Sequence, residues 1–69
     1  MFKEYTKKGR DYLEQKKYGL ALESFQRALD CCQKEEDEFY TYLELGVTYR
    51  EKGEYDLAFR EFQKVLGHN

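Results

Sequence analysis

Proline and tryptophan are absent from this 69-residue chain, histidine occurs once, and the cysteines number two and are adjacent. Each scarcity removes a class of chemistry. In a helix, the neighbours Cys31 and Cys32 point about 100° apart, so they neither close an ordinary disulfide nor chelate one metal from a single face. No second Cys or His pair accompanies them, and neither a metal nor a cofactor is expected. The sole histidine, His68, is penultimate and has no neighbouring nucleophile by spacing, so it reads as a solvated terminus rather than a general base. Serine–histidine–acid constellations and phosphate-cradling glycine loops are missing too, and the chain is not expected to be an enzyme. The net charge is -2 with both signs interspersed, which lacks the basic footprint that nucleic acid requires. No apolar run reaches the length of a membrane span, and "MFKEYTKKGRDY" at the N-terminus lacks the apolar segment of a secretion signal. A cytoplasmic address is expected, with neither membrane nor nucleic acid as partner.

What the chain does contain is aromatic and repetitive. Seven tyrosines and five phenylalanines supply large contact areas to a chain near the lower size limit for a single core, which is read as one domain over 1–69. Shifting the sequence by 37 positions aligns Phe2 with Phe39, Tyr5 with Tyr42, Gly9 with Gly46, Tyr12 with Tyr49 and Glu14 with Glu51. The second half of the unit follows: Tyr18 with Tyr55, Leu20 with Leu57, Ala21 with Ala58, Phe25 with Phe62, Gln26 with Gln63 and Leu29 with Leu66. Those 11 identities in a gapless 32-residue overlap mark an internal repeat, the signature of a stacked array.

Spacing within each unit is helical. Phe2, Tyr5, Gly9 and Tyr12 recur at steps of three and four, as do Tyr42, Leu45, Gly46 and Tyr49. Ala21, Phe25, Ala28, Leu29 and Cys32 form a second stripe, echoed by Ala58, Phe59, Phe62, Val65 and Leu66. Each unit is therefore two helices, giving an all-α chain with helices over roughly 2–16, 18–33, 37–52 and 55–67. The polar segments "EQKKYG" and "EKGEYD" are the hairpin turns; Gly53 is placed to take the left-handed conformation that ends a helix, and Lys16 stands at its position in the first copy. A glycine inside a helix costs roughly 1 kcal/mol relative to alanine, so Gly9 and Gly46 call for a compensating contact. Close backbone approach supplies one if Gly9 faces Ala21 and Gly46 faces Ala58. The acidic run at residues 35–38, "EEDE", lacks the alternating spacing and glycine of a calcium loop and suits the positive end of the third helix. Glu4 with Lys8, Glu23 with Arg27 and Asp56 with Arg60 are expected as weak surface pairs.

Read from Tyr5 to Leu29 as "YxxxGxxYxxxxxYxxAxxxFxxAL" and from Tyr42 to Leu66 as "YxxLGxxYxxxGxYxxAxxxFxxVL", the two units resemble tetratricopeptide repeats. Gly9, Tyr12, Ala21 and Phe25, with Gly46, Tyr49, Ala58 and Phe62, carry the motif. The resemblance implies two tandem antiparallel helical hairpins stacked as a short right-handed α-solenoid. Repeat 1 covers about 2–35; repeat 2 covers about 39–69 and is incomplete at its C-terminal side, with no capping helix. The family's unit is 34 residues and usually has a proline after its second helix. Here Gln33 takes that place, and the surplus of three residues falls within "CCQKEEDEF", either as an extra turn on the second helix or as a longer connection.

Comparison of the copies also sets the edges. Lys8 stands where Leu45 stands, and Lys3, Thr6 and Arg10 stand where Tyr40, Leu43 and Val47 stand, so the first helix turns those positions to water while the third is internal. The resemblance implies an inner face that holds a peptide or helix of another protein. Carried over position by position, that face comprises Lys3, Thr6, Arg10, Leu13, Tyr40, Leu43, Val47 and Arg50. Tyr40, Leu43 and Val47 supply an apolar patch or else pack against the first helix, while Lys3, Arg10 and Arg50 meet acidic groups. The basic and asparagine pattern with which some family members grip the carboxylate end of chaperone tails is not present, since those positions hold Thr6, Arg10 and Glu44. The function expected is an adaptor module binding a segment of a partner. The alternative is a structural element that forms a homodimer or a longer array through Leu57, Phe59, Phe62, Val65 and Leu66 of its last helix.

Overall fold

The computed structural model describes residues 1–67, which form α1 (Phe2–Glu14), α2 (Tyr18–Asp30), α3 (Glu35–Lys52) and α4 (Tyr55–Leu66), with no strand among the described residues. α1 pairs with α2, and α3 with α4; α2 then packs against α3 to stack the hairpins. The resulting slab measures 34 × 29 × 13 Å between Cα extremes. A slab this thin leaves every helix one face toward water, so each helix must mix buried and exposed positions.

The hairpin turns are the same structure twice. The N–H of Lys16 donates to Leu13 O at 3.0 Å and that of Lys17 to Tyr12 O at 2.9 Å; Gly53 donates to Arg50 O at 3.0 Å and Glu54 to Tyr49 O at 2.9 Å. This is the six-to-one and five-to-two bonding that closes a helix on a left-handed residue. Gly53 adopts φ 93° without a Cβ penalty, whereas Lys16 is held at φ 61° despite carrying one.

The boundaries of α2 and α3 correct the expected ones. α2 ends at Asp30, not 33, and α3 begins at Glu35, not 37. The N–H groups of Cys31 and Cys32 reach back only three residues, to Ala28 O at 3.0 Å and Leu29 O at 3.1 Å, which tightens the last turn and ends the helix. Glu35, Glu36, Asp37 and Glu38 occupy the first turn of α3, where the helix dipole favours negative charge. The three surplus residues of the period thus appear as an added turn on α3, and not on α2.

Inside each hairpin the glycine does permit close approach, but to a different partner from the one expected. A β-carbon placed on Gly9 would lie 2.5 Å from Cε1 of Phe25, and one on Gly46 would lie 2.5 Å from Cε1 of Phe62. The atoms nearest each bare helix position belong to these aromatic rings. Both alanines are buried in the core, at 0% and 3% exposure. A flat ring fills the space over a glycine with more contact area than a methyl group does, which offsets the lost helix propensity.

Between the hairpins, Ala21, Phe25 and Leu45 form the buried cluster, with Tyr12, Leu13, Leu22, Leu29 and Tyr42 around it. Burying a leucine side chain such as Leu45 contributes about 1.5–3 kcal/mol. Thr41, Leu45 and Thr48, spaced by four and three, are all fully buried, while their counterparts Glu4, Lys8 and Asp11 on α1 are exposed. The expected contrast between an edge helix and an internal helix therefore holds at Lys8 and Leu45, and it extends to the flanking positions. Each buried threonine satisfies its hydroxyl within its own helix: Thr41 Oγ1 donates to Asp37 O at 2.7 Å and Thr48 Oγ1 to Glu44 O at 2.8 Å. Cys32 Sγ lies 3.7 Å from Thr41 Oγ1 and donates to Ala28 O at 3.3 Å, joining the end of α2 to α3. Burial pushes the Cys32 thiol above its ordinary pKa, which keeps it protonated at neutral pH.

Candidate functional site

α1 and α3 carry the residues expected on the inner face, and the structure divides them. Lys3, Arg10 and Arg50 are exposed; Tyr40 and Leu43, at 38% and 43%, are the exposed large hydrophobics of α3. Leu13 and Val47 are half-buried, and Leu13 packs against the central cluster. Thr6 corrects the expectation that it faces water: it is 8% exposed, and its Oγ1 donates to Lys3 O at 3.0 Å, so its hydroxyl is spent on its own helix. Leu43 is left exposed, while Tyr40 touches α1 and still keeps 38% of its surface open to solvent.

Tyr40 joins the two helices. Its ring meets Phe2 edge-on with centroids 6.4 Å apart, its hydroxyl accepts from Arg10 Nη1 at 3.5 Å, and it donates to Glu44 Oε2 at 3.4 Å. Arg10 Nε also lies 3.7 Å from Glu44 Oε2. The arginine side chain is 64% exposed and the glutamate 17%, so the pair is anchored on α3 and open to solvent on the α1 side. A pair this exposed contributes about 0–1 kcal/mol. A shallow groove of about 260 Å³ runs beside it, lined by Thr6, Lys7, Arg10, Asp11, Glu14 and Tyr40. Phe2 is not among the residues expected on this face, and Glu44 is expected there only as a departure from the chaperone-tail pattern. Arg10 and Glu44 come from different repeats at unequal register positions, and neither helix spacing nor the 37-residue shift pairs them.

Arg50 stands apart from this cluster. Its Nη2 lies 3.7 Å from Glu51, its neighbour in the chain. Ion pairs formed among the described residues include Arg10–Glu44, Arg50–Glu51, Lys52–Glu54 and Lys64–Glu61. The expected pairs Glu4–Lys8, Glu23–Arg27 and Asp56–Arg60 do not form; an exposed pair gains too little to hold two long side chains together.

On α4, the residues expected to self-associate do not share one face. Phe59 and Leu66 are 60% and 78% exposed, and Tyr55 joins them at 68%. Leu57 and Val65 are half-buried. Phe62 is corrected outright, because its ring lies over Gly46 inside the hairpin. Glu61 is buried to 9% exposure and pairs with Lys64 at 3.2 Å; the Lys64 ammonium in turn sits 5.1 Å from the centroid of the Tyr42 ring. A wider depression of about 470 Å³, lined by Gly53, Glu54, Tyr55, Asp56, Leu57 and Arg60, lies at the α3–α4 turn and shares no residue with the α1–α3 groove.

Among the described residues no group of three or more His, Cys, Asp or Glu side chains is arranged to hold a metal ion, and both cysteines are free. No helix of the described residues is long and apolar enough to cross a membrane. His68 lies outside the described residues.

No curated protein and no solved structure matches this chain. A family model does match, over residues 5–68, and its description is tetratricopeptide repeat. That span takes in both hairpins and both glycine–aromatic contacts, and with it the chain belongs to the tetratricopeptide repeat family.

Proposed function

We propose that the α1–α3 face binds a segment of another protein. The family generally mediates protein–protein interaction. The observation that carries the reading here is the exposure of Tyr40 and Leu43 at 38% and 43% on α3, a helix that also buries Thr41, Leu45 and Thr48 fully. An apolar side chain of the partner covers Leu43 and the half-buried Val47. The exposed cations Lys3, Arg10 and Arg50 meet its acidic or carbonyl groups around that centre.

The test is capture of a partner with the tagged chain, followed by affinity measurement on variants. Leu43→Asp is expected to weaken binding at least about tenfold, as a hot-spot loss of about 1.4 kcal/mol or more. Arg10→Glu and Arg50→Glu lower affinity less and chiefly slow association, in a salt-dependent way. Binding that ignores all three changes removes this face from consideration.

A further inference from the structure

Tyr40 stands 37 residues after Lys3, Glu44 after Lys7 and Val47 after Arg10. Both copies keep the same glycine and rings, yet at these three positions the chemistry changes: α1 carries cations where α3 carries a phenol, a carboxylate and an apolar side chain. The helices that pack along their length are α1 with α2, α2 with α3 and α3 with α4. At the rim of the groove α1 therefore reaches α3 through side chains, with Phe2 edge-on to Tyr40 and the Tyr40 hydroxyl between Arg10 and Glu44. We propose that Tyr40, Arg10 and Glu44 form an openable strap that sets the gap between α1 and α3. This strap rests on the reading of the α1–α3 face as a binding surface, and gives that face a closed and an open form.

The bonds are those of a latch, not of a fixed joint. At 3.4 and 3.5 Å both hydroxyl contacts lie at the long end of hydrogen-bond range, and the ion pair spans 3.7 Å. Because the Arg10 side chain is 64% exposed, water takes over its donors when it swings out. A single χ1 rotation of Tyr40 breaks the Phe2 contact and both hydroxyl bonds together. Closure is favoured by Glu44, whose side chain at 17% exposure is held partly out of water and is better off beside a cation. Opening leaves the core in place, since Thr41 and Leu45 stay buried where α2 packs on α3. It also frees Arg10 and Glu44 at the same point, and one peptide unit of a partner segment supplies a C=O to the first and an N–H to the second.

The strap is tested in the full chain without a partner. Spin labels attached through Glu4→Cys on α1 and Glu36→Cys on α3, both exposed and outside the strap, report the gap as a distance distribution once Cys31→Ser and Cys32→Ser remove the native thiols. Tyr40→Phe with Glu44→Gln should broaden the distribution and move its mean outward by about 1–2 Å. Arg50→Gln is the control and should leave it unchanged, because Arg50 pairs with Glu51 of its own helix. Raising salt from about 0.02 to about 0.5 M should widen the gap in the parent and not in the double variant, since screening acts on an exposed pair that the variant already lacks. A distribution that the double variant does not move, or a salt response that survives it, overturns the strap. Partner capture that Leu43→Asp weakens, together with an unmoved gap, removes the strap and leaves the binding reading. A gap that moves while capture ignores Leu43→Asp, Arg10→Glu and Arg50→Glu removes the binding reading and leaves the strap.

Discussion

The ring of Phe25 lies so close over Gly9 that a β-carbon there would stand 2.5 Å from Cε1, nearer than real side chains approach. Gly46 and Phe62 repeat the arrangement at the same 2.5 Å. The two contacts differ in freedom, because Phe25 is fully buried and Phe62 is half-buried. Gly9→Ala is therefore expected to destabilise by about 1–3 kcal/mol, overpacking outweighing the gain of about 1 kcal/mol in helix propensity. Gly46→Ala should cost less, because the Phe62 ring has room to give. Urea denaturation of both variants, with Gly9→Ala repeated in a Phe25→Leu background to expose the coupling, checks the ordering. Equal and negligible effects would mean that the ring contacts do not limit packing.

The matched turns make a second comparison. Lys16 holds φ 61° where Gly53 holds φ 93°, with the same bonding around each. Lys16→Gly is expected to stabilise by up to about 1 kcal/mol, the relief of a left-handed Cβ partly cancelled by the extra freedom of glycine in the unfolded chain. Gly53→Lys should destabilise by about 1–2 kcal/mol. Both are read from denaturation midpoints.

The edge-versus-interior asymmetry predicts opposite tolerance at equivalent positions. Leu45→Lys places an unpaired charge at a site of 0% exposure and is expected to cost about 3 kcal/mol or more. Lys8→Leu, on the exposed side of α1, should stay within about 0.5 kcal/mol. Calorimetry on the pair separates the two helices. A large effect at Lys8 would show that α1 is covered in solution.

Alkaline stability follows from Cys32. Burial raises its thiol pKa in the folded state above the ordinary value of 9.0, so the unfolded chain loses this proton first. Once pH passes that ordinary value the folded state holds more protons than the unfolded one, and stability falls as pH rises. Denaturation at pH 8 and pH 10 should show a smaller loss in Cys32→Ala than in the parent. An identical loss would assign the slope to other groups.

Much of the fold was legible without coordinates. The 37-residue repeat and the three-and-four spacing yielded four helices, both hairpins and the family, and the exchange of Lys8 for Leu45 identified the outer and inner helices. Helix periodicity is a property of neighbours in the chain, and a repeat doubles every such signal. The candidate site was legible only in part. Arg10 and Lys3 were read as surface, but so was Thr6, because a threonine beside lysines reads as solvated until its hydroxyl is seen to bond its own helix; Tyr40 and Leu43 were left open between an apolar patch and packing against the first helix, and their exposure is visible only in the structure.

By itself the sequence determined periodicity: which residues form helices, where glycine breaks the turns, and which positions correspond between units. Tertiary structure alone decided who meets whom across helices. It set Phe25 and not Ala21 over Gly9, placed the added turn on α3, buried Thr41 and Thr48, and brought Arg10 to Glu44 through Tyr40. Those outcomes depend on side-chain volume and direction summed over several helices at once, and no local spacing encodes that sum.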